Sequence, residues 1–377
     1  MSLIENKELK TRIIESSESA AKYMRKESKE SIGYGTMPWA GLIGRIARLG
    51  NNITYRISRR APIGRVVSAS SVASMIEFNI EMYKKTKDKE YLNQAIDGSN
   101  WLIQNQNKAG FWVFTTFERK RRRVQTVDST MGALALISLY KVTGNSKLLL
   151  ISKRWLEYII NNGLIKKKDH TYCMYYLDGD MEDLEVTNVA CCIVHLMSEF
   201  YKVSNEGKYK KIADNLIPFI KSMQLSSGEF RYSSKRDHYQ GPQYNAFQLI
   251  FLLSYYEITK DKDLKNILEA TKNYLESSVN KDGSVQFGPV KYAFNTSNRK
   301  LYYHSAAVAA ALSEYKYQIG NVNERKILDS ISFALLGQRI DGSFSFGQNA
   351  LFGLIDDIVP YPRYIGYTSR LLLKCIN

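Results

Sequence analysis

Long apolar runs, cysteine, proline and histidine are all scarce in this chain of 377 residues. No stretch of about 18 uncharged apolar residues occurs, so no membrane-spanning helix is expected. Four cysteines are too few and too scattered for a disulfide framework, which favours a reducing compartment. The first residues are charged and lack the apolar stretch of a signal peptide, and we therefore expect a cytoplasmic protein.

Several common site motifs are missing as well. The sequence contains no GxxxxGK[ST] phosphate loop, no GxGxxG, no CxxC and no HExxH, so we expect no cofactor and no metal ion. No helix-turn-helix or single-strand platform is recognisable, and we expect no nucleic-acid partner. The oligomeric state is left open.

Positive charge, in contrast, is in excess. The 53 Lys and Arg residues against 37 Asp and Glu give a formal net charge of +16, and such an excess attracts polyanions, anionic glycans among them. Six arginines and no acid occur between residues 40 and 66, ending with Arg65, and a second basic run ends at Arg123. Each run is either a solvated loop or part of a site for an anionic ligand. We interpret residues 30–66 as a basic insertion on the face that carries the site.

Two marks recur along the chain. A tyrosine that leads into a polar turn returns at intervals of 55 to 61 residues, at Tyr83, Tyr140, Tyr201, Tyr256 and, weakly, Tyr317. A glycine follows each tyrosine after 23 to 27 residues and leads into an aromatic, at Gly110, Gly228, Gly283 and Gly342, with Gly163 as a degenerate copy. Regular spacing of this kind indicates repeated structural units.

Each unit holds a pair of helices. The first helix is apolar nearly all round and is predicted to be buried, whereas the second is apolar on one side and is predicted to face solvent. Six first helices begin near residues 70, 128, 188, 245, 304 and 364, and an unpaired amphipathic helix at residues 5–29 can complete the sixth pair. We therefore predict an all-α fold, an (α/α)6 barrel or toroid of six inner and six outer helices. Short hairpin-like loops lie on one face, and residues 1–377 form a single domain.

The glycine marks resemble those of a known superfold. The stretch from Gln106 through Gly110 to Trp112 is similar to the Gln-x-x-x-Gly-x-Trp repeat of terpenoid cyclases, and the stretches at Gly228 and Gly342 are similar with Phe for Trp. Glycan-active toroids contain the same turn. The resemblance implies an α/α toroid in which the glycine ends the outer helix with a positive φ and the aromatic fills the gap between neighbouring pairs.

Functional residues are expected at the end of the toroid where the inner helices begin. The connections that lead there are long, long loops on a rigid scaffold carry function, and helix N-termini favour anions. The residues predicted at this rim combine titratable groups with flat rings, as a saccharide site requires. They are Asp128, Glu185, Asn188, His238, Tyr239, Tyr244, Asn245, Tyr303, His304, Asp357 and Arg363. Asp128 is also a common N-cap residue type, and the tyrosines could simply pack.

Hydrolysis is the first chemistry compatible with this rim. The stretch that begins at Gln125 resembles the Asp-bearing helix start of unsaturated glucuronyl hydrolases, which are (α/α)6 enzymes. The resemblance implies that Asp128 is the general acid/base. A two-carboxylate mechanism needs a second acid, for which Glu185, Asp356 and Asp357 are candidates.

The second chemistry is β-elimination or C5 epimerisation of a uronic acid. It needs a base, a group that stabilises the developing negative charge, and an acid. Tyr303 with His304, Asn188 or Asn245, and Arg363 would supply these groups. Toroidal polysaccharide lyases and glucuronyl epimerases resemble this set in using Tyr, His, Asn and Arg.

Isoprenoid chemistry is the third. The Asp-x-Asp-Asp and Asp-Asp-x-x-Asp motifs of terpenoid cyclases are missing. Protein prenyltransferases bind zinc with Asp, Cys and His, but Cys191, Cys192 and His195 lie inside an apolar helix and are predicted to be core residues.

We therefore predict an enzyme that acts on an anionic, uronate-containing saccharide. Asp128, Tyr303 and His304 are the predicted catalytic residues, and Arg65 and Arg123 of the basic runs are predicted to contact the substrate. The alternatives are a non-catalytic toroid that binds a glycan or a protein in polysaccharide biosynthesis, and a cyclase- or prenyltransferase-like protein without the acidic motifs.

Overall fold

The computed structural model describes residues 7–27, 35–36, 50, 52–58, 65–115, 122–177, 185–234, 240–285, 300–350, 355–357 and 359–376. Within these ranges no helix has both the length and the apolar character needed to cross a bilayer.

Twelve helices of the described ranges form an inner and an outer ring. The inner ring consists of α2 (Ala69–Thr86), α4 (Thr126–Thr143), α6 (Thr187–Ser204), α8 (Pro242–Thr259), α10 (Tyr302–Gln318) and α12 (Pro362–Lys374). The outer ring consists of α1 (Lys7–Glu27), α3 (Lys89–Asn105), α5 (Ser146–Asn162), α7 (Gly207–Ser222), α9 (Lys262–Ser278) and α11 (Glu324–Leu336). Inner helices such as α4 are buried on most sides and outer helices such as α9 on one stripe, as their apolar patterns predict.

The two ends of the described chain close the ring. Each inner helix packs against the next, α12 packs against α2, and α1 packs against α12. The buried face of α1 carries Ile13, Ala20 and Met24. The predicted (α/α)6 toroid is confirmed, together with the closing role of the N-terminal helix.

The tyrosine marks end the inner helices for a backbone reason. Four residues after the tyrosine the chain enters the left-handed region, with φ between 52° and 70°, at Lys87, Gly144, Asn205 and Lys260. The amide at each of these positions donates to the carbonyl of the tyrosine. The next residue is the N-cap of the outer helix, and Asp88, Asn145 and Asp261 accept a backbone amide there. A left-handed C-cap followed at once by an N-cap makes these turns short.

The glycine marks lie where one outer helix meets the next. Their φ angles lie between 80° and 104° at Gly110, Gly228, Gly283 and Gly342. A Cβ at Gly342 would overlap the carbonyl oxygen of Ser19 in α1, and the other three face the following outer helix in the same way. The glutamine of the repeat fastens this turn, because Gln338 Nε2 donates to the carbonyl of Ser16 at 2.7 Å. Hence α1 occupies the outer position that follows α11.

One detail of the turn differs from the expectation. The glycine does not end the outer helix, because α3 already ends at Asn105. Gly110 instead closes a tight turn in which its amide donates to the carbonyl of Asn107 at 2.8 Å. The aromatic does fill the gap: Trp112 is 1% exposed, and its indole nitrogen donates to the carbonyl of Leu102 at 2.8 Å.

Short antiparallel strands occupy connections that lead to the inner helices. They are β1 (Gly35–Thr36) with β2 (Arg65–Val66), β3 (Phe114–Thr115) with β4 (Arg122–Arg123), β5 (Leu164–Lys166) with β6 (Thr171–Cys173), and β7 (Lys300–Leu301) with β8 (Gly347–Ala350) and β9 (Ile355–Asp357). The predicted hairpin-like loops are therefore present. In addition, β7 pairs with β8 and so ties the connection before α10 to the one before α12.

Candidate functional site

A cavity of about 180 Å³ lies at the N-terminal ends of the inner helices, the end predicted to carry the site. Its wall consists of four tyrosines, two phenylalanines, one arginine, two residues with side-chain amides, and one residue each of valine, methionine and cysteine. The described lining residues are Val127, Met131, Asn188, Cys192, Gln243, Tyr244, Phe247, Phe251, Tyr303, Arg363, Tyr364 and Tyr367. None of these described residues is a carboxylate. The cavity is thus aromatic, with one fixed positive charge.

Arg363 supplies that charge. It follows Pro362 in the first turn of α12, where proline removes no intrahelical hydrogen bond. The guanidinium carbon lies 5.9 Å from the centroid of the Tyr364 ring and 5.7 Å from that of Tyr367. Burial alone would lower the pKa of Arg363, but Tyr367, Tyr364 and Asp128 outweigh it and raise the pKa, so the guanidinium stays charged. Its Nε is buried and has no hydrogen-bond partner among the described residues, which leaves a donor for an anionic ligand.

Tyr303 lines the cavity, whereas its neighbour His304 is fully buried outside the lining. The two rings meet edge to face with centroids 4.3 Å apart. The Tyr303 ring also lies 5.1 Å from Tyr364 and 5.7 Å from Phe346. His304 therefore packs against the Tyr303 ring but does not itself form part of the wall.

Asp128 is 2% exposed and does not line the cavity. Its Oδ1 accepts the backbone amide of Ser70 at 3.0 Å, so it caps the neighbouring helix α2. Its own helix, α4, begins after Gln125, which makes no side-chain cap bond. Oδ2 is buried and has no hydrogen-bond partner within the described ranges. Asp128 acts on the cavity through its charge, which raises the pKa of Arg363.

Glu185 is held in a loop contact away from the cavity. Its carboxylate accepts hydrogen bonds from the ammonium of Lys167 and the hydroxyl of Ser234. Burial alone would raise the pKa of Glu185, but these two hydrogen bonds and the charge of Lys167 outweigh it, and the pKa is lowered. The carboxylate is therefore ionised and engaged, and it ties the β5–β6 hairpin to the connection before α8.

The two predicted asparagines have different surroundings. Asn245 is fully buried, where Oδ1 accepts the amide of Phe230 at 2.8 Å and Nδ2 donates to the carbonyl of Gln240 at 3.3 Å. It fastens a glycine turn to the start of α8. Asn188 lines the cavity, as does Tyr244.

The remaining predicted residues cannot be assigned to the cavity. His238 and Tyr239 lie outside the described residues. Arg65, Arg123 and Asp357 lie in β2, β4 and β9, and their side chains are outside the described part of the chain.

The sequence analysis did not predict the other eight lining residues, although the sequence contains a signal for them. Four residues separate successive cavity positions on the same helix, as in Val127 and Met131, Asn188 and Cys192, or Arg363 and Tyr367. Because residues at i and i+4 share a helix face, each rim residue implied a second, deeper position. Gln243, Phe247 and Phe251 repeat the pattern on α8.

A second cavity, of about 280 Å³, lies at the other end of the ring, where the inner helices finish. Five acids and five bases line it: Glu77, Glu81, Glu199, Glu257 and Glu314 with Lys84, Lys141, Lys202, Arg370 and Lys374. Salt bridges join several of them, including Lys202 with Glu199 at 2.8 Å. Because the charges balance, we interpret this cluster as an ionic network of the fold and not as a site for ions of one sign.

His195, which also lines this second cavity, makes the stability sensitive to acid. Burial lowers its pKa to about 3 from 6.5, so the folded protein keeps a neutral imidazole where the unfolded chain binds a proton. The free energy of unfolding should therefore fall as the pH decreases through this window. We expect a loss of about 2 kcal/mol between pH 6.5 and 4.5, measured by urea unfolding.

The variant that should remove that loss is His195→Leu. The matched control is His170→Gln, which changes a histidine of the β5–β6 hairpin outside this cavity and should keep the loss. An unchanged pH dependence after His195→Leu would contradict the assignment to His195.

Cys191, Cys192 and His195 do not form a single ligand set. All three lie in α6, but Cys192 lines the first cavity and His195 the second. Cys191 is completely buried, as a core residue. Across the described ranges, no group of three His, Cys, Asp or Glu residues is arranged to hold a metal ion.

No protein-family model and no curated protein matches this sequence. The fold, in contrast, is shared with solved structures. An unsaturated glucuronyl hydrolase specific for heparin superposes with a TM-score of 0.70 at 12% identity, over 97% of each chain. A family 76 glycoside hydrolase from a bovine Bacteroides thetaiotaomicron strain gives 0.69 at 10% identity, over 99% of this chain and 79% of that one. Cellobiose 2-epimerase from Bacillus thermoamylovorans gives 0.67 at 13% identity, over 82% and 87%. These likenesses show the α/α toroid fold.

Proposed function

We propose that this protein is a carbohydrate-active enzyme that binds a uronate-containing saccharide in the 180 Å³ cavity and acts on it by β-elimination or C5 epimerisation. The observation that carries the proposal is the wall of that cavity, where Arg363 and Tyr303 converge with two amides and no described carboxylate. Hydrolysis of a glycosidic bond commonly uses two carboxyl groups about 5 to 9.5 Å apart. Removal of a proton next to a carboxylate instead needs a cation, a base and an acid.

Arg363 would bind the carboxylate of the sugar. A guanidinium presents parallel N–H donors that match a carboxylate, and this pairing is stronger where water is excluded. When the proton leaves C5, its bonding electrons move into the carboxylate and add negative charge to the oxygens. Arg363 and the amides of Asn188 and Gln243 would stabilise that charge.

Tyr303 is the proposed base, and His304 is proposed to position it. As a phenolate, Tyr303 accepts the C5 proton. In elimination the substituent on C4 then leaves with its bonding electrons and takes a proton from the phenol of Tyr364 or Tyr367, which gives a C4–C5 double bond. In epimerisation a proton returns to C5 from the opposite face of the ring, for which Tyr364 and Tyr367 are available donors in the wall.

The size of the cavity favours action at the end of a saccharide chain. Its 180 Å³ is less than the roughly 300–1,000 Å³ of sites for drug-sized ligands, so we propose that it takes one sugar ring. The basic runs that end at Arg65 and Arg123 directly precede α2 and α4 on this face. They would hold the remainder of an anionic chain by charge.

The known activities of the structural neighbours support a saccharide substrate. One is a glucuronyl hydrolase specific for heparin, and another is an epimerase of cellobiose.

Hydrolysis with Asp128 as the acid is the second candidate. Its support is the buried Oδ2 of Asp128, which has no hydrogen-bond partner among the described residues. The resemblance to unsaturated glucuronyl hydrolases implies the same role.

The choice between these chemistries is tested by incubating the protein with saturated and unsaturated oligouronides in deuterated water. Elimination creates an ultraviolet-absorbing product, hydrolysis of an unsaturated substrate removes absorbance, and epimerisation incorporates deuterium at C5 without either change. We expect Tyr303→Phe to lower kcat about 100-fold or more, the usual contribution of a proton-transfer group. Asp128→Asn should keep most of the activity, because an amide oxygen can still accept the Ser70 amide.

Tyr317→Phe is the matched control, since Tyr317 is 84% exposed. If Asp128→Asn abolishes turnover at an unchanged melting temperature while Tyr303→Phe does not, hydrolysis by Asp128 replaces our proposal. If no oligouronide is bound or converted at low salt, the proposal fails altogether, and the non-catalytic alternative becomes the better one.

A further inference from the structure

A groove of about 900 Å³ runs between α1, the turn that follows α11, and a short helical segment at residues 52–58. Its wall includes Lys22, Lys26, Tyr55, Arg339 and Ile340. We call this groove and the outward face of the 52–58 segment the α1 edge. The guanidinium of Arg339 lies over the Tyr55 ring, 5.2 Å from its centroid, and so joins the segment to the turn.

Large aliphatic side chains protrude at the α1 edge. Ile57 is 81% exposed, Ile53 is 47% exposed, and Ile340 is fully exposed. On the 52–58 segment, Asn52 and Tyr55 are buried, whereas Ile53 and Ile57, one turn apart, face outward. A surface helix of a globular protein normally presents its apolar side to the core. Tyr55 follows this rule, because it forms a buried apolar cluster with Val359 and Tyr361, but Ile53 and Ile57 lie outside that cluster, and exposed apolar groups of this kind mark an interaction surface.

Positive charge lines the groove beside Ile340. Lys22 and Lys26 are exposed and lie one turn apart on α1, and Arg339 lies across the groove from them. The only carboxylate among the described groove residues is Asp341, which already accepts the amide of Ser343 at 3.0 Å and its hydroxyl at 2.6 Å. The α1 edge therefore combines aliphatic side chains with an excess of cations.

We propose that the α1 edge docks on an anionic lipid bilayer, with the isoleucines entering the headgroup boundary and the cations contacting lipid phosphates. Aliphatic residues flanked by Lys and Arg are the composition of interfacial membrane contacts. A saccharide would call for exposed flat rings, but Tyr23 and Tyr55 are only 9% and 3% exposed. A second copy of this chain would bring the same positive charge to the contact.

Docking at this edge would place the bilayer beside the candidate site. Arg339 and Ile340 follow the C-terminal end of α11, and the outer helices finish at the end of the toroid where the inner helices begin. This proposal rests on the surface alone and does not depend on the proposed activity.

The test is sedimentation of the full chain with vesicles of phosphatidylcholine, with or without phosphatidylglycerol. We expect binding to the anionic vesicles, weakened by salt. The variant with Ile53→Ser, Ile57→Ser and Ile340→Ser should bind these vesicles at least about tenfold more weakly than the unchanged protein. The variant with Lys22→Glu and Lys26→Glu should lose about tenfold or more as well, because each cation near the surface contributes about 1 kcal/mol.

Leu150→Ser is the matched control, since Leu150 is 54% exposed on α5, away from this edge, and its loss should leave vesicle binding within about twofold. Equal sedimentation with neutral and anionic vesicles, or unchanged binding of both edge variants, would overturn the proposal. A dimer in analytical ultracentrifugation that the triple isoleucine variant abolishes would assign the edge to a second copy instead.

Discussion

Arg363→Met is expected to lower kcat/KM for an oligouronide by about 100-fold or more, because the substrate carboxylate loses its charged partner in a cavity lined by aromatic rings. Methionine fills a similar space, so the wall of tyrosines and phenylalanines should persist. Affinity for a neutral oligosaccharide of the same length should change little. Steady-state kinetics and calorimetric titration with charged and neutral saccharides measure the two effects separately.

The stability of the Arg363 variant distinguishes a binding role from a structural one. The guanidinium is buried among aromatic rings, and Nε has no hydrogen-bond partner among the described residues. Tyr367, Tyr364 and Asp128 stabilise this charge, so its removal should lower the melting temperature, and binding is therefore measured well below the temperature at which the variant unfolds. Arg325→Met is the control, since Arg325 is 80% exposed in its ion pair with Asp329. A variant that binds oligouronides normally, or that loses binding only because it unfolds, would contradict the role given to Arg363.

Gly342→Ala is expected to destabilise the fold by about 3 kcal/mol or more. The residue has φ +85°, which L-amino acids disfavour by about 1–2 kcal/mol, and an added Cβ would overlap the backbone of Ser19. Backbone of α1 cannot yield as a flexible side chain can, so the seam that closes the ring must open. Urea unfolding monitored by circular dichroism measures the loss.

Gly144→Ala separates the two causes of that loss. Gly144 has φ +70°, but nothing lies within 4 Å of the position where its Cβ would be. This variant should therefore lose only the backbone contribution of about 1–2 kcal/mol. If both variants were destabilised equally, contact with α1 would not be the reason for glycine at residue 342.

The sequence does not show how each inner helix is oriented about its own axis, and this limited what could be predicted about the site. Starts of the inner helices were placed within a few residues, and Asn188, Tyr244, Tyr303 and Arg363 lie in the wall of one cavity. A starting point alone does not tell which side of the first turn faces the centre. Asn245, one residue after Tyr244, is directed at the backbone of the preceding turn instead.

Hydrogen-bond partners from distant parts of the chain determine whether the predicted carboxylates are available to a ligand. The sequence around Asp128 reads as the start of a helix, yet its carboxylate caps α2, 58 residues earlier. Glu185 was a candidate for the second acid at the rim, and its carboxylate is engaged by Lys167 and Ser234. Neither pairing leaves a local signal, because each depends on how two connections meet.

By itself, the sequence determined the repeated helix pair, the short turns after the tyrosines and the closure of six pairs by the N-terminal helix. Those features depend on apolar periodicity, on left-handed caps and on glycine, which act over a few residues. Only the tertiary structure decided which polar groups remain available in the cavity, since a polar group can bind a ligand only where the fold has not already supplied it with a partner. That is why Arg363, which has a buried nitrogen without a hydrogen-bond partner among the described residues, became the centre of the candidate site, and Glu185 did not.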